Sequence, residues 1–170
     1  MRIPLLVAAA VLAPTVALSA AAPAAPARKA GWWEITTAMS APMAMTSKMN
    51  MCTDAATEAR NSAFATNNGP PGGVDCTQGP VGRTATGWTF SSTCKMQGMT
   101  TTTSGVASGD FDANYRVEAT TRMTPAPMPQ MAETRTVITS RWLGPCPAGR
   151  VPGDTVMPNG MAFNVNRMGR

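Results

Sequence analysis

The chain has 170 residues, a net charge of +5 and no histidine. Without histidine, Ser-His-Asp and Cys-His catalytic arrangements are excluded, and the commonest general base and metal ligand is missing. The basic residues stand singly apart from Arg28 and Lys29. This scatter indicates a solvated surface and argues against nucleic-acid binding, which would require a basic stripe or an aromatic platform.

Residues 1–22 read as a signal peptide. Met1 and Arg2 give a positive start, an apolar run follows from Ile3 to Leu18, and small residues follow from Ser19 to Ala22. The apolar run is short for a membrane span, although an uncleaved N-terminal anchor is the alternative. We expect a periplasmic protein with no transmembrane segment after cleavage, a flexible lead over residues 23–30 and a single domain over 31–170.

The first elements of that domain are predicted to be a strand and a helix. In Gly31–Met39, Trp33 and Ile35 alternate with Trp32 and Glu34, which is typical of a half-buried strand. Alanines dominate residues 53–65, and Thr53 or Asp54 can cap a helix there. The stretch NNGPPGG at 67–73 then breaks regular structure.

The remaining elements are predicted to be strands. Alternation is clear from Trp88 to Cys94 and clearest from Tyr115 to Met123, while the run 99–107 is rich in threonine. Residues 134–143 form another strand whose phase stays open, because Ile138 and Trp142 compete with Val137 and Leu143 for the inside. Met161–Val165 can form a short last strand. The fold class is therefore mainly β: one antiparallel meander sheet with one short helix, and curvature or closure into a barrel is left open.

Four cysteines in an exported chain indicate two disulfides. A turn near residues 83–87 would bring Cys76 and Cys94 together across a hairpin, which leaves Cys52 to pair with Cys146. Sequence alone does not exclude the other two pairings. A four-thiolate metal site is disfavoured because the cysteines lack the short paired spacing of such sites. Large apolar residues are few after Ala22, with one Leu, two Ile, eight Val and four Phe, so the cross-links are expected to stabilise a small core.

Methionine offers one candidate site. Five methionines occur between Met39 and Met51, and thioethers are soft ligands that prefer Cu(I). In a flexible loop, Met43, Met45 and Met49 could converge on one ion. Methionine also fills irregular cores, and this chain has few other residues that could do so. Both interpretations remain open.

Carboxylates offer a weaker candidate site. Asp110 and Asp112 lie two residues apart, and Glu34 and Glu118 fall on predicted strands. The surrounding SGDFDAN is typical of a turn, in which Asp and Asn serve the backbone. We therefore expect no catalysis and no cofactor.

Several segments resemble a known bacterial family, the one designated domain of unknown function 3617. They are the opening KAGWWEITTAM, the stretch MNMCTD, the spaced Cys76 and Cys94, and the late SRWLGPCPAG. The resemblance spans about Lys29 to Cys146. It implies a small exported protein of proteobacteria, but no activity and no functional residues.

The expected function is that of an exported, non-catalytic binding or cell-envelope-associated protein whose partner is unknown. The alternative is a periplasmic Cu(I)-binding protein that uses the cluster Met39–Met51.

Overall fold

A computed structural model describes residues 25–40, 43–62, 64 and 75–168. The predicted signal peptide and the break at 67–73 lie outside these residues. The described chain forms one α-helix, α1 (Ala55–Asn61), a short 3-10 turn (Pro129–Met131) and ten strands. The strands are β1 (Gly31–Met39), β2 (Met45–Thr53), β3 (Asp75–Gln78), β4 (Gly82–Arg83), β5 (Trp88–Met96), β6 (Met99–Asp110), β7 (Asn114–Thr124), β8 (Glu133–Gly144), β9 (Asp154–Val156) and β10 (Ala162–Asn164).

All ten strands belong to one antiparallel sheet, which confirms the predicted fold class. The order is β10-β9-β2-β1-β8-β7-β6-β5-β3, with β4 also paired to β5. Strands β5 to β8 form the expected meander. The chain then returns, and β8 pairs with β1, so the first strand lies inside the sheet between β2 and β8. Within the described residues the order has two ends, β10 and β3, and the sheet is open.

The two faces of the sheet differ in chemistry. We call the face that carries Trp33, Ile35 and Val117 the inner face, because these side chains are buried. The opposite, outer face carries charged side chains such as Glu34 and Arg116, as period-two alternation requires. The inner face holds two small clusters, one around Phe90 and Val117 and the other around Trp33 and Ile35.

The structure settles the phase of β8. Ile138 packs against both core clusters and Trp142 against one of them. Leu143 is exposed. The inner set is therefore Ile138 and Trp142, because Ile138 lies directly opposite the buried Val117 in the neighbouring strand.

The helix is shorter than predicted. Thr53 is the last residue of β2, and Asp54 is the N-cap, with its Oδ1 accepting a hydrogen bond from the Thr57 amide at 2.7 Å. The helix ends at Asn61, one residue before Ser62. Asn and Ser have low helix propensity because their side chains compete for backbone hydrogen bonds, which accounts for the end of the helix ahead of the predicted residue 65.

Strand β2 is absent from the sequence-based prediction, which treated its methionines as part of a loop. It pairs with β1 over nine residues, from Gly31 opposite Thr53 to Met39 opposite Met45. Its sequence MTSKMNMCT lacks Val, Ile and aromatic residues, so its β-propensity is weak and pairing with β1 provides the order.

Both predicted disulfides are present. Cys76 and Cys94 are directly opposite each other in β3 and β5, with their Cα atoms 4.0 Å apart. Cys52, near the end of β2, is bonded to Cys146, just beyond β8, with a Cα–Cα distance of 5.5 Å. This second bond joins β2 to the residues after β8 beside the first residues of β1, which lies between the two strands.

The residues just before β1 pack on the sheet, although we expected the flexible lead to reach residue 30. The Lys29 amide donates to the Phe111 carbonyl at 3.0 Å, and its ammonium lies 4.1 Å from the centre of the Trp142 ring. The Trp142 indole donates to the Ala30 carbonyl at 3.2 Å. The ordered fold therefore includes residues ahead of Gly31. In the described part of the chain, no helix has the length and apolarity needed to cross a membrane.

Candidate functional site

A cavity of about 300 Å³ lies between the inner face of the sheet and the α1 region. Strands β1, β2, β7 and β8 contribute the wall on the sheet side. Helix α1 contributes Glu58 and Asn61 to the lining, and Phe64 and Val165 also line the cavity. This volume lies at the lower end of the range found for small-molecule sites. The apolar side chains that line it are Ile35, Met49, Met51, Phe64, Phe111, Tyr115, Val117, Ile138 and Val165.

The aromatic rings that line the cavity, Phe64, Phe111 and Tyr115, belong to a connected set of ring contacts. Phe111 and Tyr115 are stacked, with ring centres 4.9 Å apart and planes inclined by 13°. Phe64 lies 6.3 Å from Phe111, and Trp33 meets Tyr115 edge-on at 5.6 Å. These offset and edge contacts are the favourable geometries for aromatic pairs. They hold one side of the cavity in place.

A buried ion pair lines the cavity. The Arg28 Nε donates to Glu58 Oε2 at 2.6 Å, and only about 5% and 6% of the two side chains is exposed. These are the only charged side chains among the described residues that line the cavity. The pair fastens the residues before β1 to α1, and the nearby Asn61 donates to the Thr57 carbonyl at 2.9 Å.

The residues that follow β10 also contribute to the cavity, because Val165 lines it. The Asn166 side-chain amide donates to Thr57 Oγ1 at 2.9 Å, and the Val165 amide donates to the Gly153 carbonyl at 2.9 Å. The first bond holds the residue next to Val165 and the second holds Val165 itself, which packs against the core cluster around Trp33 and Ile35. The cavity therefore draws on residues from both ends of the folded chain.

Sequence reasoning did not identify this site. Arg28 falls in the predicted lead, 23–30, and Glu58 falls in the predicted helix, 53–65, and neither position indicates a binding site. Their pairing depends on the return of β1 to the middle of the sheet. The sequence signal that was available was the alternation in β1 and β7, which placed Ile35, Tyr115 and Val117 on shared faces.

The structure separates the candidate copper ligands. Met49 lies opposite Ile35 and lines the cavity. Met45 lies opposite Met39 at the end of the β1–β2 hairpin, and it and Met43 are 57% and 78% exposed. Met45 and Met49 are four residues apart on one strand, or about 13 Å at the usual rise per residue. Met43 and Met45 thus lie at the hairpin end, away from Met49.

The carboxylates also lie apart. Asp110 Oδ1 accepts from the Asp112 amide at 2.8 Å, so this pair serves a turn. On the outer face, Glu34 contacts Lys48 at 2.8 Å and Arg141 at 3.2 Å. The hydrogen bond from Lys48, supported by Arg141, lowers the pKa of Glu34.

Glu118 is on the same face, with Arg116 at 2.6 Å. In the ranges that the structure describes, no three His, Cys, Asp or Glu side chains are grouped so that they could hold a metal ion.

Comparison with known proteins gives one result. The profile of the family described as "Protein of unknown function (DUF3617)" matches residues 28–146. No curated protein and no solved structure matches the chain. The matched range begins at the buried Arg28 and ends at the disulfide-bonded Cys146, while β9, β10 and Val165 lie beyond it. The chain therefore belongs to the DUF3617 family of proteins of unknown function.

Proposed function

We propose that this protein is an exported, non-catalytic binding protein that holds a small apolar molecule in the cavity between the inner face and α1. The observation that carries the proposal is the lining of the cavity, in which nine largely apolar side chains outnumber the five polar or charged ones. A ligand placed there would remove its own apolar surface from water, and each Å² buried contributes about 25 cal/mol. The leader-like residues 1–22 and the two disulfides support export to the periplasm.

The charges of the cavity support binding rather than catalysis. A general acid gives a proton to a bound molecule and a general base takes one from it, and histidine and carboxylates most often do this. The carboxylate of Glu58 is held by Arg28 at 2.6 Å, and no histidine exists in the chain. The pair is suited to recognition of a polar group and to fastening α1 in place.

Two adjacent threonines of β1 allow a matched test. Thr37 lines the cavity, whereas Thr36 lies on the outer face, where it lines a shallow polar groove. Thr37→Phe fills the cavity, and Thr36→Phe adds the same bulk to the other side of the same strand. The probe is N-phenyl-1-naphthylamine, a neutral dye whose fluorescence rises in apolar surroundings.

We expect the dye to bind the unmodified protein, and Thr37→Phe to weaken its binding by about tenfold or more, which corresponds to 1.4 kcal/mol. Thr36→Phe should leave binding unchanged. Equal weakening in both variants would place the dye elsewhere, and no binding to the unmodified protein would overturn the proposed function. Near-UV circular dichroism of both variants checks that the fold is retained.

As a second candidate function we propose Cu(I) binding at the hairpin end. Met39 and Met45 are directly opposite each other, so their Cβ atoms are about 5 Å apart. Met43 lies two residues before Met45 in the sequence and is well exposed. Two or three thioethers on one side of a hairpin suit a soft ion. The ligands proposed here are Met39, Met43 and Met45, so Met39 replaces the Met49 of the sequence-based prediction.

A further inference from the structure

We propose that the molecule held in the cavity is neutral and has an apolar body with a single group that both donates and accepts hydrogen bonds, such as a hydroxyl or a primary amide, bound by Arg28 and Glu58 together. This inference rests on the proposed function and specifies its ligand class. It follows from three properties of the buried pair: its hydrogen-bonding capacity, its charge balance and the direction of its hydrogen bonds.

The pair uses only part of its hydrogen-bonding capacity. The guanidinium of Arg28 donates through Nε, and Glu58 accepts through Oε2, at 2.6 Å. A guanidinium has five N–H donors and a carboxylate has two acceptor oxygens, so this bond uses only part of what the two groups can form.

The other polar atoms of the pair are not sealed inside the protein. Within the described chain, the Ser140 hydroxyl is the single fully enclosed side-chain polar atom without a partner. Arg28 and Glu58 both line the cavity, so a molecule bound there can reach their polar atoms.

The charge balance favours a neutral ligand. Arg28 and Glu58 carry opposite charges and are the only charged residues among the described lining. A carboxylate in the cavity would bring a second negative charge next to Glu58, and an ammonium would do the same next to Arg28. Either would be an unpaired charge in an apolar space, which is costly.

The hydrogen-bond directions define the polar group. A guanidinium can only donate and an ionised carboxylate can only accept. A group that meets both side chains must therefore accept from Arg28 and donate to Glu58. A hydroxyl or an amide does this, whereas an ether, a ketone or an ester cannot.

The test compares three probes with the same two-ring body by equilibrium dialysis: 2-naphthol, 2-methylnaphthalene and 2-naphthoate. They present a donor and acceptor, no polar group and an anion, respectively. We expect 2-naphthol to bind the unmodified protein about tenfold or more tighter than 2-methylnaphthalene, since hydrogen bonds to charged groups are the stronger ones. We expect 2-naphthoate to bind most weakly.

The matched variant is the double substitution Arg28→Met and Glu58→Met, which removes both charges and leaves no unpaired partner. In this variant 2-naphthol should lose its advantage, while 2-methylnaphthalene should bind as before. If the double variant does not fold, the order of affinities of the three probes for the unmodified protein tests the ligand class by itself.

The outcomes separate this inference from the function it rests on. If 2-methylnaphthalene binds but 2-naphthol has no advantage, or if 2-naphthoate binds best, the ligand class is wrong and the apolar site stands. If the advantage of 2-naphthol persists in the folded double variant, its hydroxyl binds elsewhere and the role of Arg28 and Glu58 is wrong. If none of the probes binds, the proposed function itself fails.

Discussion

At the scale of single residues, the buried pair of Arg28 and Glu58 predicts that losing one partner costs more than losing both. We expect Glu58→Met to lower the free energy of unfolding by about 3–5 kcal/mol, because it leaves the Arg28 charge buried and unpaired. The double Met variant should recover most of this loss. Urea unfolding, followed by tryptophan fluorescence, measures the free energy of unfolding of both variants.

The control for that prediction is the exposed pair on the outer face, Arg116 and Glu118, whose side chains are 47% and 63% exposed. Glu118→Met should change the free energy of unfolding by less than about 1 kcal/mol, as for other surface pairs. A double Arg28→Met and Glu58→Met variant as unstable as Glu58→Met alone would show that the unpaired charge is not the cause.

Methionine at the hairpin end gives a second prediction at this scale. If Cu(I) binds there, replacing Met39, Met43 and Met45 by Leu should abolish one-to-one binding in competition with a copper-chelating dye. Leu keeps apolar bulk and removes the sulfur. Met49→Leu should leave the affinity unchanged, because Met49 lines the cavity.

A matched control exists at another hairpin, where Met96 and Met99 are also directly opposite each other. Leu at both of these positions should leave Cu(I) binding intact. Undiminished affinity in the triple variant at the β1–β2 hairpin would eliminate that site.

At the scale of elements, the cap of α1 predicts a pH dependence. Hydrogen bonds from the Thr57 side chain and amide lower the pKa of Asp54 from its ordinary value of 3.8. The folded state therefore favours the carboxylate. Its contribution is complete above pH 3.8 and is lost as the pH falls through the lower folded pKa.

Asp54→Asn keeps a cap that does not titrate, so between pH 4 and pH 2 the unmodified protein should lose stability relative to this variant. At pH 7, Asp54→Ala should cost about 1 kcal/mol, whereas Asn should cost less. Urea unfolding across this pH range measures all three proteins. If the difference in the free energy of unfolding between the unmodified protein and Asp54→Asn stays constant down to pH 2, the lowered pKa of Asp54 is contradicted.

The elements also show what sequence can predict. Strands with strong alternation, such as Gly31–Met39 and the run from Tyr115 to Met123, were predicted almost to the residue, because burial of one face imposes period two. Strand β2 was missed because its order comes from pairing with β1 and not from its own composition. The phase of β8 was open because both Ile138 and Val137 are apolar, and only the neighbouring Val117 decides between them.

At the scale of the whole molecule, the disulfides are expected to stabilise the fold unequally. The Cys52–Cys146 bond joins residues 94 apart and Cys76–Cys94 joins residues 18 apart. In the chain-entropy model, replacing the first pair by Ala should cost nearly 5 kcal/mol and the second about 3 kcal/mol. Both costs are large beside the usual stability of a small domain.

Near-UV circular dichroism at 37 °C shows whether the protein keeps its tertiary structure without the disulfides, because the signal depends on the fixed environments of Trp33, Trp88 and Trp142. Reduction should remove most of the signal, whereas treatment of the oxidised protein with a chelator should leave it unchanged. A reduced protein that melts cooperatively at the original temperature would mean that the apolar core alone is sufficient.

The whole-molecule view also explains why the cysteine pairing was predictable and the cavity was not. A hairpin is a local arrangement, so the pairing of Cys76 with Cys94 followed from a turn between them, and the second pair followed by elimination. The cavity needs Arg28, Phe64 and Val165 to meet, and no local pattern encodes contacts between such distant segments.

The place of β1 inside the sheet has a consequence for the order of folding. Trp33 pairs with Trp142 near the other end of the described chain, and contacts so far apart in sequence form late because the loop between them must first close. A chain that crosses a membrane from its N-terminus would present β1 long before its partner β8 arrives.

We therefore expect the Cys76–Cys94 bond to form first during oxidative refolding and the Cys52–Cys146 bond last, after β8 has docked. Trapping of free thiols at successive times, followed by peptide mass spectrometry, gives the order. Early closure of Cys52–Cys146 would mean that β2 and β8 come together before the strands that lie between them in sequence, β3 to β7, have formed.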